Sequence, residues 1–112
     1  MKISKEKFEE IVYQKFVKIP EKIRKKIENV EIIIEEKRSE NLLGLYHGVP
    51  FPKRKSPTYS MILPDRIIIF KENIETQCNS EEEIEKLIEK VLLHEIGHYL
   101  GLNENQLKKL GL

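Results

Sequence analysis

His94-Glu95-Ile96-Gly97-His98-Tyr99-Leu100-Gly101-Leu102-Asn103-Glu104, close to the end of the 112-residue chain, governs how the remainder is read. Residues four apart on an α-helix lie on one face about a turn apart, so the imidazoles of His94 and His98 can reach one cation. Glu95 follows His94 by one residue, which turns its carboxylate to the flank of that face. From there it can take a proton from a water on the metal rather than bind the metal itself. Zinc in a hydrolytic site takes three protein ligands and leaves a fourth position for water. Gly101 is the residue type that most readily adopts the left-handed turn ending a helix, and that turn carries a side chain three residues on back toward the metal. The side chain in question is Glu104. His47, the remaining histidine of three, is the competing third ligand, but nothing in the local chain geometry places it there. A His-Glu-x-x-His pattern arises by chance on charged helices. The glycine and glutamate that follow at useful spacings, in a chain so poor in histidine, favour the metal reading.

Outward from this stretch, the helix that carries it has a legible start. Ser80 with Glu83 three residues on forms a capping box, and Glu81, Glu82 and Glu83 sit where the helix dipole favours negative charge. Ile84, Leu87, Ile88, Val91, Leu92 and Tyr99 recur as a core-facing stripe with the two histidines at its edge. A last short helix is expected over Asn103 to Leu110. Toward the N-terminus, Ser4 to Val17 reads as a helix with Phe8, Ile11, Val12 and Phe16 on one side, and Pro20 suits the first turn of a second one ended by Asn29. Val30–Glu35 and Arg66–Phe70 are β-branched runs expected as strands. Leu42 to His47, with Gly44 inside, reads as a short irregular strand. Pro50 to Pro64 holds four prolines and Lys53-Arg54-Lys55, and is expected as a loop.

Composition narrows the class. Lys and Arg total 20 against 19 Asp and Glu, so a net charge of +1 gives no reason to expect nucleic acid or an anionic membrane as partner. Cys78 is the one cysteine, which excludes an intrachain disulfide and an all-thiolate zinc site; it reads as a small buried apolar residue. No apolar run has secretory or membrane-spanning length, so a cytoplasmic location follows as the expectation.

The chain also resembles the small bacterial zincin-like family, a minimal metalloprotease domain. The resemblance rests on Leu42-Leu43-Gly44-Leu45-Tyr46-His47-Gly48-Val49-Pro50, Leu63-Pro64-Asp65-Arg66-Ile67, Val91 to Gly101, and Leu107-Lys108-Lys109-Leu110-Gly111. These segments fall in the expected order and span nearly the whole chain. The resemblance implies an α+β fold: one compact domain over 1–112, in which a small mixed sheet and N-terminal helices pack against the active-site helix. It implies zinc on His94, His98 and an acidic residue, Glu95 as the catalytic carboxylate, and a peptide or protein substrate. That acidic position is usually aspartate in the family, whereas this chain has Glu104, one methylene longer. In the larger metzincin peptidases the third ligand is histidine and a methionine turn lies beneath the metal; here no methionine follows Glu104.

Zincin peptidases hold an extended substrate against an edge strand by main-chain pairing, and Leu43 to Gly48 is the candidate rim. Tyr46 or His47 is then the candidate donor to the oxyanion on the scissile carbonyl. Lys53-Arg54-Lys55 could recognise acidic partners, or simply be solvated. Two functions stand against each other: a zinc-dependent endopeptidase with Glu95 as general base, and a zinc-binding zincin module with little hydrolysis of its own, acting through a protein partner.

Overall fold

The computed structural model describes residues 1–37, 40–48 and 64–109. The most apolar run of the chain forms its centre. Strand β3 (Asp65–Phe70) lies between β1 (Val30–Glu35) and β2 (Gly44–His47), giving the order β1-β3-β2. β1 runs parallel to β3 with Ile32 beside Ile67 and Ile34 beside Ile69, while β2 runs antiparallel with Tyr46 beside Ile67. A consecutive β-branched run suits a central strand, because its side chains can be covered on both faces. Ile67 and Ile69, on one face, are fully buried, while on the other Ile68 is half-buried, Phe70 buried and Arg66 exposed. The mixed three-stranded sheet packed with helices is the α+β arrangement expected.

Helix α1 (Lys5–Val17) begins at Ser4, whose hydroxyl accepts from Lys7 N at 3.1 Å. It buries Phe8, Ile11 and Val12 against the long helix α4 (Glu81–Tyr99). α4 starts at Ser80 as anticipated: Oγ accepts from Glu83 N at 3.2 Å, and the Glu83 carboxylate takes the serine hydroxyl in return. Ile84, Ile88, Leu92 and Ile96 run along its buried side, so the helix that carries both histidines packs against both α1 and the sheet. Tyr99 closes that stripe. Its hydroxyl donates to Lys26 O and accepts from Glu28 N, both at 3.0 Å, tying the end of α4 to the turn before β1.

Three expectations change. Helix α2 spans only Glu21–Arg24, and Asn29 does not cap it. Asn29 instead takes a left-handed conformation (φ 53°) that swings the chain into β1, which asparagine tolerates better than most residues. A helix that the hydrophobic spacing did not announce, α3 (Lys71–Glu75), follows β3 without a break. Five residues with one buried isoleucine carry too little periodicity to be recognised, and α3 is held by tertiary contacts. Lys71 and Glu75 form a buried ion pair at 2.8 Å, and Glu75 also accepts from Ile3 N at 2.9 Å. The last helix, α5, covers Glu104–Lys109. The proline-rich expectation from Pro50, its basic run Lys53-Arg54-Lys55, and Leu110 lie outside the described residues. Among the described residues, no helix is long and apolar enough to cross a membrane.

Candidate metal centre

The end of α4 determines where the third acid goes. After Tyr99 and Leu100, Gly101 adopts φ 87°, and two hydrogen bonds close the turn: Gly101 N to His98 O at 2.9 Å and Leu102 N to Gly97 O at 3.0 Å. This is the double-bonded helix ending in which a left-handed residue reverses the chain. Asn103 then begins α5 through a reciprocal cap, Gln106 N donating to Asn103 Oδ1 at 2.9 Å and Asn103 N to Gln106 Oε1 at 2.8 Å. Glu104, the first residue of α5, is thereby delivered to the two imidazoles.

Its Oε1 lies 2.9 Å from His98 Nε2 and 3.3 Å from His94 Nε2. One donor atom from each of the three residues lies within 4.8 Å of the others. Zinc bonds of about 2.0–2.1 Å in a tetrahedron imply donor separations of about 3.3 Å, so small side-chain rotations bring two imidazole nitrogens and one carboxylate oxygen onto one ion. His98 also places Nδ1 at 3.2 Å from Leu102 O. With Nδ1 as donor to that carbonyl, Nε2 is free to offer its lone pair, the arrangement typical of metal-binding histidines. His47, exposed at the end of β2, does not belong to this cluster.

Glu95 sits apart from the donors, as its spacing required. It is 7% exposed, against 71% for the Glu104 side chain. Burial pushes its carboxyl above the usual glutamate range, opposed by His98, His94 and a hydrogen bond from the Tyr46 backbone N–H. Glu104 shows the reverse: slight burial would raise it, but hydrogen bonding and charge from His94 and His98 hold it below the usual value. A raised carboxyl favours the fold while protonated and loses that contribution as pH climbs through the unfolded and then the folded value. In the metal-free protein, Glu95→Gln is therefore expected to raise the melting temperature near neutral pH. Below about pH 4, where both side chains are neutral, it should leave it unchanged. Melting curves of the two proteins at both pH values check this.

The cleft over these groups has a volume of about 510 Å³ and is lined by β2, by the end of α4 and by the turn into α5. A second hollow of about 340 Å³, sharing Leu42, Gly44, His94 and Glu95 with it, continues past Leu87 and Val91. β2 is an edge strand among the described strands. Phe70 N donates to Leu43 O at 3.0 Å, so Leu43, Leu45 and His47 face β3 with their main-chain groups. Those of Gly44 and Tyr46 point away from it, toward the cleft. Gly44 allows the close approach: a β-carbon there would meet Val91 Cγ1 at 2.6 Å and Glu95 Cγ at 3.3 Å.

The candidate oxyanion donors fare differently from expectation. Tyr46 lines the cleft, but its hydroxyl donates to the buried Asp65 at 2.6 Å; His47 does not line it. Sequence reasoning missed the Tyr46 main-chain bond to Glu95, the Leu102 carbonyl behind His98 and the Asp65 partner. Main-chain groups leave no trace in residue identity, although a lone aspartate among eighteen glutamates was a visible hint for Asp65.

Comparison with known proteins gives a family. A family model described as zincin-like metallopeptidase matches residues 23–112. The chain is also similar to the solved structure of a conserved hypothetical protein from Thermus thermophilus. That match has 21% identity and a TM-score of 0.62, and covers 88% of this chain and 94% of the other, a likeness of fold. No curated protein matches significantly.

Proposed function

The chain belongs to the zincin-like metallopeptidase family, and from that premise we propose that it is a zinc-dependent peptidase hydrolysing peptide bonds in peptide or protein substrates. The observation that carries this reading is the convergence of His94, His98 and Glu104 beside a buried, separate carboxylate, Glu95. Zinc bound there supplies Lewis acidity, polarising a carbonyl and acidifying water near neutral pH.

The chain's own groups do the rest. His94 and His98 hold the ion from one helix face, and Glu104 completes three protein ligands. The Leu102 carbonyl keeps the His98 ring in orientation. Glu95 takes the proton of the attacking water and hands it to the leaving amine, and the Tyr46 N–H holds it in place. The main-chain groups of Gly44 offer an extended peptide a pairing edge, and the two adjoining hollows accept side chains on either side of the scissile bond.

The test is chelation. Purified protein should carry one zinc per chain and cleave an unfolded protein substrate. A chelator should abolish cleavage, and added zinc should restore it. Zinc without turnover on a broad peptide library would favour a binding module over an enzyme, and cleavage indifferent to chelation would overturn the metal reading.

A further inference from the structure

The centre of the signature, Gly97, has no role in the chemistry above, yet it is buried and lies between the two histidines in sequence. It has an intimate neighbour. A β-carbon built on Gly97 would fall well short of van der Waals contact distance from Leu107 Cδ2 and 3.5 Å from its Cγ. Leu107 is fully buried but does not belong to the main hydrophobic cluster; it is the one buried residue of α5. In a doubly bonded helix ending an apolar side chain of the last turn frequently packs on the reversed segment, and the residue that accepts the longer bond is one position from which it does so. Here that residue is Gly97, its side chain is missing, and Leu107 from the next helix fills the space.

The spacing on both helices then matters. Glu104 and Leu107 are three residues apart and share one face of α5; His94 and Gly97 are three apart on α4, with His98 next to Gly97. Two contacts therefore join α4 to α5 about a turn apart, Leu107 on Gly97 and Glu104 on the histidines.

We propose that Gly97 is the positioning residue of the metal centre: its bare surface seats Leu107, and that seat holds α5 where Glu104 reaches the ion. A side chain at Gly97 has to displace the Leu107 methyl; because Leu107 is fully buried, α5 moves with it and takes the acid out of range, while His94 and His98 keep their places on α4. This rests on the zinc reading above but not on hydrolysis.

Zinc affinity is the readout, by competition with a chromophoric chelator, together with the visible spectrum of the cobalt-substituted protein. Gly97→Ala should raise the zinc Kd about 10–100-fold, the effect typical of losing a supporting contact, and shift the cobalt spectrum toward a site lacking the carboxylate. An ordinary interior helix glycine behaves oppositely, since alanine would only stabilise the helix. Gly97→Ala combined with Leu107→Ala should bind zinc more tightly than Gly97→Ala alone, because the truncated leucine leaves room for the methyl. Should Gly97→Ala not fold, a cycle decides: Leu107→Ala should weaken binding in the wild type and have no further effect in a Glu104→Ala background. A Gly97→Ala protein within about twofold of wild-type Kd, or a fully additive cycle, overturns the inference while leaving the zinc reading intact. Wild-type protein that takes up no zinc overturns both.

Discussion

Replacing Glu95 with glutamine is expected to lower kcat for peptide hydrolysis by about 10²–10⁴-fold while leaving one zinc per chain bound. Glu95 lines the cleft, and among the described residues the one other carboxylate lining it is the proposed ligand Glu104, so no second base stands ready. Glutamine has nearly the same shape, and its amide oxygen can still accept from the Tyr46 N–H. It lacks the basicity to accept a proton from water. His94, His98 and Glu104 are untouched, so the zinc Kd should hold. Steady-state kinetics alongside metal analysis check both halves. An unchanged kcat would remove Glu95 from the mechanism, and loss of zinc with loss of rate would make its role structural.

The second large effect is expected at Glu104. Glu104→Ala removes one of three proposed ligands and should raise the zinc Kd by about 10²–10³-fold, since a site's affinity is distributed over few donors. Its side chain is 71% exposed and among the described residues it contacts the two histidines, so the metal-free melting temperature should barely move. That separation of affinity from stability distinguishes a ligand from a helix-capping acid. Glu104→Asp, which keeps a carboxylate one methylene shorter, should retain most binding, and His47→Ala should retain all of it. If His47→Ala instead cost more affinity than Glu104→Ala, the histidine from β2 would be the third ligand.

Much of this architecture can be read along the chain because its signals are local. The Ser80 cap, the apolar stripe from Ile84 to Leu92 and the left-handed Gly101 are each consequences of helix geometry over a few residues. The β-branched runs of β1 and β3 announced themselves by composition. Helix α3 did not. It is short, and it owes its place to the buried Lys71–Glu75 pair and to the bond that Glu75 accepts from Ile3, 72 positions away in the chain.

The site divides in the same way. Two imidazoles on one helix face, a carboxylate on its flank and an acid beyond a helix-ending glycine follow from the amino-acid order, because helical spacing and one left-handed turn are short-range properties. Tertiary structure decided what surrounds them: that Glu95 is desolvated and bonded to an edge strand, that the Tyr46 hydroxyl is committed to Asp65, and that Leu107 rests on Gly97. Those facts depend on which surfaces meet when the sheet and α5 close on α4. Such meetings are set by the packing of distant segments, which no local spacing records.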